Sequence, residues 1–162
     1  MDEHTRDPSV DPPHGDRNPT GWLPEERRWE HDTLRRAVVH GVRLFNAESY
    51  HASHDCFEDE WFNYGNGTRE KDFLQGMVQV AAGAYKLVEH DEPEGLRRLL
   101  TTARGYLDDI PDDFYGVDVG EIRGDIEAVL EDRGSVEGWS IRLDGRIQTA
   151  DEDDVAFAES RP

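Results

Sequence analysis

Lysine is almost missing from this 162-residue chain: Lys71 and Lys86 stand against 16 arginines and 37 acidic residues, for a formal net charge of −19. With no basic patch interleaved with aromatics, nucleic-acid binding is disfavoured. Apolar runs are short. Even the longest apolar stretch, residues 73–88, is broken by Gln75, Gln79 and Lys86 and falls short of the ~18 residues a membrane span needs. Cysteine occurs once, as Cys56, which excludes an internal disulfide and a thiolate metal cluster. The first ten residues have neither a cationic start nor an apolar core, so no signal peptide is read and the expected location is cytoplasmic. Nucleophile-elbow and phosphate-loop patterns are missing, as is any internal repeat.

What is abundant is carboxylate. High acid content with lysine nearly erased is the composition of salt-adapted, archaeal-type halophilic proteins, whose acidic surface stays hydrated where salt competes for water. In molar salt the Debye length is about 3 Å, so the self-repulsion of −19 is screened. At low salt the same charge works against the compact state.

The chain is organised around residues 73–88, apolar on nearly every side of a helix, as suits the middle of a bundle. Gln75 and Gln79 are four apart and share a face of it. Residues 1–21, with four prolines and little that is apolar, read as a disordered leader. Trp22 and Leu23 are expected to touch down on the fold, and a helix over 24–45 to carry Trp29, Leu34, Val38, Val42 and Phe45 inward. A second helix over 50–63, with Ser49 as a cap, turns Tyr50, His54, Phe57 and Trp61 inward. Thr68 caps the central helix, which ends near Glu89, and Asp91 with Glu94 has capping-box spacing for the next. That fourth helix carries Leu96, Leu100, Ala103 and Leu107 and stops near Pro111. Phe114 and Tyr115 fold onto the bundle from a loop, and a fifth helix spans 118–132. Alternation of Trp139, Ile141, Leu143 and Ile147 around Asp144-Gly145 predicts a β-hairpin. The predicted architecture is thus all-α: a bundle of about five helices over 22–134, with a hairpin at 135–149 and a solvated acidic tail at 150–162.

The densest polar cluster facing inward is His51, His54, Asp55 and Glu58, within helical reach of one another. Imidazole and carboxylate at this spacing can ligate zinc, manganese or iron. The plainer reading is a buried network in which His54 and Glu58 meet Gln75 and Gln79 and fix helix register. No metal or other cofactor is expected; if an ion binds, His54, Glu58, His51 and Asp55 are its candidates. Cys56 reads as an inert core thiol, and a small organic ligand between the second and central helices would need a mostly apolar pocket bordered by Trp61.

The pairing of His54-Asp55-x-x-Glu58-x-x-Trp61 with Leu74-Gln75-Gly76-Met77-Val78-Gln79 resembles the family called domain of unknown function 309, small helical proteins of bacteria and archaea. The resemblance runs over 41–108. It implies a helical core and puts His54, Glu58, Trp61, Gln75, Gly76 and Gln79 in the family's signature. Asp55 stands where the family has Glu, and Leu96 where it has Ala. No activity comes with the resemblance. The functional expectation is a non-enzymatic interaction or scaffold protein, bound to a protein partner or to its own copies. The alternative is a metal-dependent hydrolase or redox protein using His54 and Glu58.

Overall fold

A computed structural model describes residues 19–160. The leader expected over 1–21 therefore lies, but for its last three residues, outside the described residues.

Four helices carry most of the core. α1 (Asp32–Asn46) packs on α2 (Tyr50–Trp61), α2 on α3 (Arg69–His90), and α3 on α4 (Pro93–Leu107). α3 starts at Thr68, whose hydroxyl accepts the Lys71 N–H at 3.2 Å, and ends where Asp91 turns left-handed at φ 51°. Glu92, followed by Pro93, opens α4, so Asp91 closes one helix and does not cap the next. Phe73, Leu74, Met77, Val80, Ala81 and Ala84 of α3 are buried. The side chains of Lys71, Gln75, Gln79 and Ala82 stay partly exposed, so one strip of this helix reaches solvent.

The first helix begins later than its apolar spacing predicts. Residues 22–29 form a hairpin of β1 (Trp22–Leu23) and β2 (Arg28–Trp29). Arg27 turns left-handed at φ 56° and donates its N–H to the Leu23 carbonyl at 2.7 Å. Trp22 meets Trp29 edge-on at 4.9 Å, and Trp29 stacks on Tyr115 at 5.3 Å. Trp29 falls in step with the α1 stripe but belongs to this aromatic stack.

After α4, β3 (Asp113–Phe114) and β4 (Val117–Asp118) form a second hairpin, and α5 (Val119–Glu131) and a 3-10 turn at Arg133–Val136 follow. The predicted C-terminal hairpin exists as β5 (Arg142–Leu143) and β6 (Arg146–Ile147), but it does not lie alone on the helices. Val117 pairs with Leu143, giving a four-stranded sheet in the order β3-β4-β5-β6. Trp139 and Ile141 lie outside the strands; the Asn46 side chain accepts the Ile141 N–H and donates to the carbonyls of Ile141 and Gln148.

The stretch read as an acidic tail contains a helix, α6 (Glu152–Glu159), opened by an Asp151/Asp154 capping box. Asp154 also reaches inward: its carboxylate is buried and lies 2.7 Å from His40 Nδ1, while Phe157 stacks on the His40 ring at 4.1 Å. A carboxylate that caps its own helix and meets an imidazole of another is invisible to a reading in which acids are solvated. No helix among the described residues is long and apolar enough to cross a membrane.

Candidate functional site

Two sets of polar side chains stand out, one partly exposed and one buried. The first is the cluster the sequence points to. On α2, His54, Glu58 and Trp61 lie at i, i+4 and i+7, one face of the helix. On α3, Lys71, Gln75 and Gln79 repeat every four residues on the strip that stays open. The Lys71 ammonium sits 4.4 Å from the centre of the Trp61 ring at one end of the seam, and His51 meets Tyr85 edge-on at 5.3 Å at the other. Between those two contacts α2 and α3 run in opposite directions.

The expected buried network is corrected here, because the seam is open. The His54 side chain is 23% exposed and Glu58 48%, and no hydrogen bond joins either to Gln75 or Gln79 among the described residues. Water can satisfy the amides, so they need no protein partner. His54 Nδ1 lies 3.0 Å from Asp55, its Nε2 3.4 Å from Glu58, and His51 Nδ1 3.3 Å from Asp55. The two nitrogens of the His54 ring thus face different carboxylates, which do not converge on one ion.

The buried set comes from residues the sequence reading passed over. Glu30 and His31 end the β1–β2 hairpin and lead into α1; Glu70 is in the first turn of α3. All three are buried, and their ligand-type atoms lie within 4.8 Å of one another. His31 Nε2 is 3.4 Å from Glu30 Oε2 and 4.0 Å from Glu70 Oε2. Neither ring nitrogen of His31 makes a hydrogen bond, although the side chain has no exposure. Leaving a buried polar group unpaired costs about 1–3 kcal/mol. The backbone of His31 is fixed by its N–H, which donates to the Tyr115 hydroxyl at 3.2 Å, and its ring meets Tyr64 edge-on at 5.3 Å. Burial pushes the Glu70 carboxyl above its usual range, opposed by its backbone hydrogen bond and by His31. Burial, and the nearby Glu70 and Glu30 carboxylates, push the Tyr115 phenol up as well.

Next to this set, Glu60 of α2 is buried and accepts hydrogen bonds on one oxygen from the Thr33 and Tyr64 hydroxyls, each at 2.7 Å. Desolvation raises its pKa above 4.5, and those donors hold the rise back. A carboxyl with a raised folded-state pKa binds its proton more tightly folded than unfolded. Its contribution is therefore present below pH about 4.5 and is lost as pH rises through the folded value. Glu60→Gln keeps an acceptor for both hydroxyls and removes the titration. Urea midpoints from pH 4.5 to 8 are expected to fall less steeply with pH in the variant than in the wild-type protein; equal slopes would show that Glu60 does not titrate anomalously.

The single sign in the sequence that could have found the buried centre is the dipeptide Glu30-His31 directly after a tryptophan. As part of a helix it reads as surface; only the hairpin turns it inward.

Residues 38–99 match the family described as Domain of unknown function (DUF309), from Val38 in α1 to Leu99 in α4. No curated protein matches the chain. The six signature residues and Glu70 fall within the matched segment, whereas Glu30 and His31 precede it.

Proposed function

Starting from a helical segment of a family without an assigned activity, we propose that this is a non-enzymatic interaction protein whose contact face is the α2–α3 seam, and that its first partner is a second copy of itself. The observation that carries this reading is the aromatic end of the seam. Phe62 is 47% exposed, its ring 4.7 Å from the half-buried Trp61, whose indole N–H has no hydrogen-bond partner. Exposed aromatics beside polar groups are the usual anchors of interfaces. The seam also holds both signs of charge, Lys71 on α3 and Asp55 and Glu58 on α2, so a patch that meets its own copy about a two-fold axis can set opposite charges together. A charge of −19 opposes such pairing at low salt and is screened in molar salt, which fits a protein of a salt-adapted cytoplasm. The alternative, a metal-dependent hydrolase or redox protein built on His54 and Glu58 with His51 or Asp55, is weaker, because the two carboxylates facing His54 diverge around its ring.

Sedimentation equilibrium in molar salt tests the proposal. The wild-type mass is expected to rise with concentration toward twice that of the chain, and Phe62→Ser to weaken association by roughly thirtyfold, the loss typical of an aromatic anchor. A single-chain mass for the wild type at every concentration would overturn it.

A further inference from the structure

We propose that Glu30, His31 and Glu70 form a closed binding site for one divalent first-row transition-metal ion, of the zinc, manganese or iron(II) kind, which ties the N-terminal hairpin to the start of α3.

The donor set and the spacing support this independently. One imidazole with two carboxylates is a ligand set suited to these ions and poorly suited to copper(I), which takes soft sulfur ligands. Two ligand atoms each about 2.1 Å from a common ion lie about 3.0 Å apart at 90°, about 3.4 Å at the tetrahedral angle, and at most about 4.2 Å. The His31 Nε2 distances of 3.4 Å to Glu30 and 4.0 Å to Glu70 fall within that span. The former is also long for a hydrogen bond and the latter too long for one. His31 is the second, separate sign. A wholly buried imidazole with neither nitrogen hydrogen-bonded, its Nε2 facing two carboxylates, is placed as a ligand and not as a member of a hydrogen-bond network.

The fold holds these donors in place from several sides. The hairpin carries Glu30 and His31, the Thr68-capped start of α3 carries Glu70, and the Tyr115 hydroxyl accepts the His31 N–H. Arg69, beside Glu70, donates to the Pro19 carbonyl and so pins the incoming chain over the same region. Each carboxylate is 5% exposed or less, and His31 2%. Three protein donors leave a coordination position for a water or for the second oxygen of either carboxylate. The burial of all three residues closes that position to a substrate, so the ion serves structure. The ion would join segments 40 residues apart in sequence, and its affinity would be part of the folding free energy.

The test uses the full chain purified in molar salt without an affinity tag or chelator. Elemental analysis is expected to find close to one zinc, manganese or iron per chain. Dialysis against a chelator should lower the melting temperature, and adding back zinc or manganese alone should restore it. Glu70→Gln and, separately, His31→Gln should lose the ion and the response to chelator, while His54→Ala keeps both. Where His31→Gln does not fold, the chelator response of the wild-type protein and the metal content of Glu70→Gln decide. A metal-free wild-type protein whose melting temperature ignores both chelator and added ions would overturn the proposal. So would an ion that is lost with His54→Ala and retained with Glu70→Gln. Neither result depends on whether the seam pairs two copies, since sedimentation reads that separately.

Discussion

Phe57→Ala is expected to destabilise the protein by about 3–5 kcal/mol, the usual cost of emptying a buried aromatic site. For a chain of this size that is a fall of roughly 6–20 °C in melting temperature. Phe57 has no exposed surface and packs its ring against α1 at Gly41. That contact depends on the glycine: a Cβ there would stand 2.5–2.9 Å from the tip of the Phe57 ring. The Ser53 hydroxyl fastens the same contact, donating to the Gly41 carbonyl at 2.7 Å. Truncating the ring leaves a void between helices that this bond prevents from collapsing. Gly41→Ala has the opposite fault and should cost about 1–3 kcal/mol through overpacking. Because both changes act on one contact, Gly41→Ala with Phe57→Leu should cost less than the sum of the two singles. Thermal and urea unfolding in molar salt measure all of these; a loss under about 1 kcal/mol for Phe57→Ala would contradict the packing described.

Tyr115→Ala should be comparably damaging, at about 3–5 kcal/mol, and should also loosen the N-terminal hairpin. Tyr115 is wholly buried and stacks on Trp29. Its ring lies against Gly21, which at φ +86° has no room for a side chain: a Cβ there would be 2.2 Å from the ring. The Tyr115 carbonyl accepts from Arg35, which also pairs with Asp144 at 2.6 Å and lies 4.8 Å from the centre of the Trp29 ring. One tyrosine therefore connects the hairpin, α1 and the β3–β4 turn. Tyr115→Phe separates the two roles of the side chain. The stack survives, but the His31 N–H loses its acceptor, an expected cost of about 1–3 kcal/mol. Tryptophan fluorescence gives a local readout: a red shift from Trp29, uncovered by loss of the stack, in the alanine variant and little change in the phenylalanine one. Equal losses in the two variants would mean that the ring contributes little.

The helical half of the fold is legible because its signals are local. The buried spacing of Leu34, Val38, Val42 and Phe45, the Thr68 cap and the apolar run from Phe73 each specify a helix without reference to distant residues. What escapes is set by contacts far apart in sequence. The two-residue turns Tyr115-Gly116 and Asp144-Gly145 are alike in backbone, with φ of 54° and 87° against 54° and 77°. Only Asp-Gly announces a hairpin, since tyrosine rarely adopts a positive φ. The β4–β5 pairing then brings the two turns together across the 27 residues 117–143. Trp29 is apolar in step with α1, so the hairpin that ends in it reads as a first helical turn. His54 and Glu58 have the right spacing to be neighbours, and they are neighbours. Spacing fixes which residues share a helix face, but not how far a neighbouring helix covers it, and here α3 leaves His54 23% and Glu58 48% exposed. Conversely, Glu30, His31, Glu60 and Glu70 look like surface residues and are buried, because hydroxyls and aromatic rings from elsewhere in the chain close over them.

That exchange of inside and outside is the centre of this account, and diethylpyrocarbonate modification of the folded protein, mapped residue by residue by mass spectrometry, tests it most directly. His51, 65% exposed, should react early and His54, at 23%, more slowly. His31, with no exposed side-chain surface, should stay unmodified until the protein unfolds. A His31 that reacts as fast as His54, or a His54 protected in the native state, would contradict it.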